Sequence, residues 1–182
     1  PLSAAIRLKR TNLTAIEGLW QAESILGRYD EAVNLARMRL RFDVSPTAYV
    51  AMARSLLRAT GRPPGAGPEA QRDACVAAIG YLAQAVAVDR YDCTALEMLL
   101  DCYVRLGEAE LAAAARAELM LRYVRLRKEW LGIKNDPGRP RLQRALAFNN
   151  LAWLAATSRA SLFRDDTEAM LDALKAVELA KD

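Results

Sequence analysis

Residues 26–36 read LGRYDEAVNLA. A glycine at 27, a tyrosine at 29 and an alanine at 32 follow a stretch, LTAIEGLWQAESIL (13–26), whose apolar residues recur at helical spacing. Taken alone, this is a helix, a turn and the start of a second helix. Downstream the punctuation returns. AYVAMARSLLRATG ends at Gly61, and ALEMLLDCYVRLG ends at Gly107. The first step, from 27 to 61, is 34 residues, and the second, from 61 to 107, is 46. The longer step contains RPPGAGPEAQR (62–72), whose proline and glycine content predicts an inserted loop. After Gly107, Ala109 and Ala112 stand where Tyr29 and Ala32 stand after Gly27.

A helix, a glycine-bearing turn and a second helix, repeated at about 34 residues, define a helical repeat. On LGRYDEA, CYVRLGEAELA, LAQAVAVD, NNLAWLAA and KAVELA, the chain resembles the tetratricopeptide repeat family, in the manner of bacterial multi-repeat proteins. The resemblance implies an all-α, right-handed superhelix of antiparallel helix pairs, an α-solenoid. The small residues Ala32, Ala78, Ala112 and Ala169 are expected at the helix crossings, where a larger side chain would push the helices apart. Leu19, Leu99, Tyr103 and Leu151 are expected to fill the seams. Glycine in the turn is expected at positive φ.

The units read as follows. Residues 1–12 resemble the end of a preceding repeat's second helix. Repeat one spans 13–46, and repeat two spans 47–92 with its loop at 62–72. Repeat three spans 93–144, with a second helix running to about Trp130 before NDPGRP stops it. Repeat four spans 145–182, with a first helix over Ala145–Ala156 and a second announced by Asp165 and Glu168 at capping-box spacing. A beginning inside a repeat and an end without a polar cap point to a piece of a longer array.

Composition limits the chemistry. Histidine is absent, which removes the commonest general base and the commonest metal ligand. Cys75, Cys93 and Cys102 lack zinc-site spacing and read as buried, reduced small residues. No metal, cofactor or catalytic centre is expected, and no membrane insertion. The balance of 26 basic and 22 acidic residues is too mild to imply nucleic acid by itself. Cysteines read as reduced favour the cytoplasm, with the periplasm open to a longer exported chain.

By resemblance, the function is that of a non-catalytic interaction scaffold, holding a peptide or partner helix in a concave groove lined by first helices. By phase, the groove residues are Glu17, Gln21, Ser55, Arg58, Glu97, Asp101, Arg105, Asn149, Asn150 and Trp153. Co-chaperones of the family clamp a C-terminal carboxylate with basic residues and asparagine. Here Glu17, Gln21, Thr94 and Met98 occupy those places, so a basic or neutral segment is expected instead. Two alternatives stand beside this. The chain can serve as a spacer or self-association segment of a larger protein. Alternatively, the cationic run from Arg122 to Arg144, led by Arg122, Arg125, Arg127 and Lys128 with Tyr123 and Trp130 interleaved, can offer an anion or nucleic-acid surface.

Overall fold

The computed structural model describes residues 12–60, 67–89, 93–157 and 164–181. Among them the regular structure is entirely helical. The helices are α1 (Leu13–Ile25), α2 (Tyr29–Leu40), α3 (Pro46–Ala59), α4 (Pro68–Val88), α5 (Cys93–Leu106), α6 (Ala109–Asn135), α7 (Arg141–Thr157) and α8 (Asp166–Ala180). The chain divides into two compact units, Pro1–Arg116 and Ala117–Asp182.

Each boundary has a local cause. Asn12 caps α1 by accepting the Ala15 N–H at 3.1 Å, and Ser45 caps α3 in the same way through Ala48. Gly27 and Gly107 both adopt φ of +75°, as the repeat pattern requires, and no other described residue outside glycine has positive φ. The Arg28 N–H then reaches back to the Glu23 carbonyl, and the Glu108 N–H to that of Tyr103, satisfying carbonyls that the helix ends leave open. Gly61, the third glycine of the pattern, lies outside the described residues, as do residues 1–11.

Three boundaries differ from expectation. α4 begins at Pro68, so the last positions of the expected loop, 68–72, are helical. Proline suits the first helical turn because its missing N–H would have no partner there. α6 runs to Asn135 rather than Trp130; Gly132 is tolerated within it, and the Asp136-Pro137 step ends it. α7 starts at Arg141, a turn before Ala145.

In the first unit, consecutive helices pack in sequence from α1 to α5. Ala32, Ala78 and Ala112 are buried at the places the pattern assigned them. Trp20, Ala32, Ala36, Ala51 and Met52 form one cluster, joined by Val33, Leu35, Leu56 and Tyr81. Leu99 is buried, whereas Leu19 and Tyr103 are only half-buried. Cys75 and Cys102 are buried. Burial, and then the neighbouring Cys75 thiol, push the Cys102 thiol up to about 12, so it behaves as a small apolar side chain. Cys93, at the start of α5, is half-buried rather than buried.

In the second unit, α7 and α8 form an antiparallel hairpin. Phe148, Leu151, Leu154, Ala169 and Ala176 supply its core. Asp165 caps α8 through the N–H groups of Thr167 and Glu168. Only half of the capping box forms. The Asp165 N–H donates to the Ala155 carbonyl, and the Glu168 carboxylate pairs with Arg127 of α6 at 3.3 Å.

Candidate functional site

The first helices α1, α3 and α5 carry the expected groove residues of the first unit. Ser55 is not among the residues open to a partner. It is 2% exposed. Its hydroxyl donates to the Ala51 carbonyl at 2.9 Å and accepts the Trp20 indole N–H at 2.7 Å. The phase that points it off the α3 seam aims it at α1, where the indole needs an acceptor once buried. Ser55 is thus a core joint between two first helices.

Glu17 is also engaged. Its carboxylate pairs with Arg39 of α2 and accepts from Gln21 at 3.3 Å. Arg39 donates in turn to Asp43 at 3.1 Å and to Thr47 at 3.0 Å. One guanidinium therefore ties α1, the α2–α3 turn and α3 together. Burial alone would raise the Asp43 carboxyl, but hydrogen bonds from Ser45 and the charge of Arg39 outweigh it and hold the group below its ordinary value. Gln21 and Arg58 remain exposed.

On α5, Glu97 and Asp101 lie one turn apart on the side opposite Ala95, Leu99 and Cys102, which face the core. Both are half-buried. Arg105 is exposed and borders a cleft with Glu69, Arg72 and Cys75 of α4, so it leans toward the second helix of the preceding pair.

In the second unit, Asn149 and Trp153 are exposed and Asn150 is half-buried. Trp153 keeps 66% of its surface. Asn149 lines an apolar cleft between α7 and α8 with Leu142, Leu146 and Val177.

The cationic run does not form one surface. Arg122 is 5% exposed and donates to Glu118 at 3.0 Å. It occupies the buried stripe of α6 with Leu119 and Tyr123. Arg127 pairs with Glu168 at 3.3 Å, with both side chains partly exposed. Arg125 and Lys128 stay exposed and border a shallow cleft with Glu129, Gly132 and Arg139. Two of the four expected anion-binding residues, Arg122 and Arg127, thus pair with carboxylates of this chain.

One group escaped the sequence reading. Asp172 is buried, and Lys134 donates to its Oδ1 at 2.6 Å. The Lys134 ammonium also lies 4.9 Å from the Phe148 ring centroid. Oδ2 of Asp172 is buried without a hydrogen-bond partner among the described residues. The signal was present: Asp172 falls between Ala169 and Ala176 on the stripe that α8 buries.

Among the described residues no group of three or more potential metal ligands is found, and no helix is long and apolar enough to cross a membrane. No family model matches the chain, and no curated protein does. Solved structures do. A crystal structure of MamA superposes with a TM-score of 0.56 at 16% identity, covering 98% of this chain and 84% of that one. A second MamA structure gives the same score and identity, covering 98% and 78%. The fold is of the tetratricopeptide type. YrrB, described as a TPR protein with an unusual peptide-binding site, matches with a TM-score of 0.29 at 17% identity, over 100% of this chain and 93% of that one. In this tetratricopeptide-type chain, the glycine turns and alanine crossings are the features that the sequence pattern and the coordinates share.

Proposed function

We propose that the chain is a non-catalytic interaction scaffold, and that α1, α3 and α5 present a face to a basic or neutral peptide segment. The observation that carries this reading is the Glu97–Asp101 pair, two carboxylates one helical turn apart on the side of α5 turned away from its core. Two carboxylates within one turn give this stretch of α5 a negative potential that favours a cationic segment over an anionic one. Gln21 of α1 and Arg58 of α3 supply exposed polar contacts on the neighbouring first helices. The Trp20–Ser55 bond holds α1 and α3 in fixed register, so the contacts would be preorganised rather than assembled on binding.

The test is fluorescence anisotropy with a panel of labelled peptides of equal length and differing net charge. Parent protein is compared with Glu97→Lys/Asp101→Lys, after both give the same helical circular-dichroism spectrum. Cationic peptides should bind the parent, weaken with salt, and lose at least about tenfold in affinity on the variant, because two charge reversals remove at least about 1.4 kcal/mol. Equal binding to both proteins, or preference for anionic peptides, sinks the reading.

A further inference from the structure

The last hairpin offers a different surface. Along α8, Asp166, Met170, Leu174, Val177 and Lys181 recur at helical spacing and form one stripe. Its three apolar members are each more than half exposed. Beside it, α7 exposes Leu142, Leu146 and Trp153, also at helical spacing and also more than half exposed. The two stripes are continuous, since Leu142 and Leu146 share the apolar cleft with Val177. Isolated exposed apolar residues are ordinary, but a contiguous patch on one hairpin marks an interaction surface.

The α8 stripe is complementary to itself in reverse. Turned end for end about a point between Ala173 and Leu174, Asp166 falls on Lys181, Met170 on Val177, and Leu174 on Ala173. Every position meets a partner of matching character: acid to base at the ends, apolar to apolar between. The ends are open for this. The Asp166 side chain is 80% exposed, in a long contact with Arg164 at 3.7 Å. Lys181 is exposed. The α7 side fits the same operation. The cleft lies toward the start of α7 and the end of α8, lined by Leu142, Ala145, Leu146 and Val177, and Trp153 lies about two turns further along α7. The rotation that reverses α8 also reverses α7, so the exposed Trp153 toward one end of α7 is brought to the side of the apolar cleft near its other end.

We infer that the α7–α8 face binds a second copy of this chain about a two-fold axis, with the two α8 helices antiparallel and Trp153 of each copy seated in the cleft of the other. Such an interface is isologous: one patch, complementary to itself. It lies on residues distinct from the proposed peptide face of α1, α3 and α5, so either can fail without the other.

Light scattering coupled to size exclusion tests it. At the highest soluble concentration the parent should have twice the 20.1 kDa chain mass and dissociate on dilution. Leu174→Asp, on an exposed position, should be monomeric. Asp166→Lys and Lys181→Asp alone should each weaken the dimer, and the double exchange should restore it, because each acid again faces a base across the axis. A parent that stays monomeric overturns the inference. So does a dimer that survives Leu174→Asp with its helical spectrum intact. Should Leu174→Asp fail to fold, the charge exchange decides, and a double variant no better than the singles overturns the two-fold register.

Discussion

At the scale of residues, Gly27 and Gly107 are the simplest to test. Neither would bring an added Cβ within 4 Å of any atom, so the cost of replacing them lies wholly in the backbone. Gly107→Ala should destabilise the fold by about 1 kcal/mol, the penalty of holding an L-residue in the left-handed region. Gly80 is the control. It lies inside α4, also with nothing within 4 Å, at ordinary helical φ. Gly80→Ala should therefore stabilise by about 0.8 kcal/mol. Urea denaturation of the two variants should give shifts of opposite sign. Asp43 supplies a pH prediction. Its folded carboxyl titrates below the ordinary value of 3.8. The stability it contributes is complete above the unfolded value and is lost as pH falls through the folded one. Asp43→Asn should therefore flatten the acid limb of a stability-against-pH curve while leaving the neutral-to-alkaline limb parallel to the parent's. Glycines of this kind were legible in the sequence because positive φ is a demand of the turn itself, independent of distant neighbours. Ser55 was not. Helical phase places a residue on a face, but it does not reveal that an indole 35 residues away in sequence needs its oxygen.

At the scale of elements, the same division holds. Ala32, Ala78, Ala112 and Ala169 announced their crossings through size and spacing, and all are buried. Arg122 looked like part of a cationic surface because charge runs are counted along the sequence, whereas burial follows the helix face. Its place on the stripe of Leu119 and Tyr123 decides its environment. The ends of α4, α6 and α7 lie four or five residues from the reading, since caps and prolines set helix ends more finely than apolar spacing does. The joint between α6 and α8 gives this scale its prediction. Removing Lys134 leaves the Asp172 carboxylate buried without its cation. Lys134→Met should cost about 3 kcal/mol. Lys134→Met/Asp172→Leu should recover most of that loss, because a matched apolar pair replaces a desolvated ionic one. Thermal melts of parent, single and double variants measure both numbers. A similar logic applies to Ser55→Ala, which strands the Trp20 N–H in the core and should cost about 1–3 kcal/mol.

At the scale of the whole molecule, the tetratricopeptide-type fold gathers small crossings, glycine turns and a few ionic joints into a scaffold with two candidate surfaces of different character. The α1–α3–α5 face is polar and carries the Glu97–Asp101 pair. The α7–α8 face is apolar and flanked by Asp166 and Lys181. The first should weaken steeply with salt, being electrostatic; the second should persist, because apolar burial is insensitive to screening. The two are thus separable by ionic strength as well as by mutation. The decisive experiment for the scaffold reading is affinity capture from source-cell lysate, with parent and Glu97→Lys/Asp101→Lys as paired baits and mass spectrometry as the readout. The reading predicts a protein retained by the parent through a basic or neutral segment and lost by the charge-reversed chain. Equal retention by both baits, with their helical spectra matched, would contradict it and move recognition away from α5.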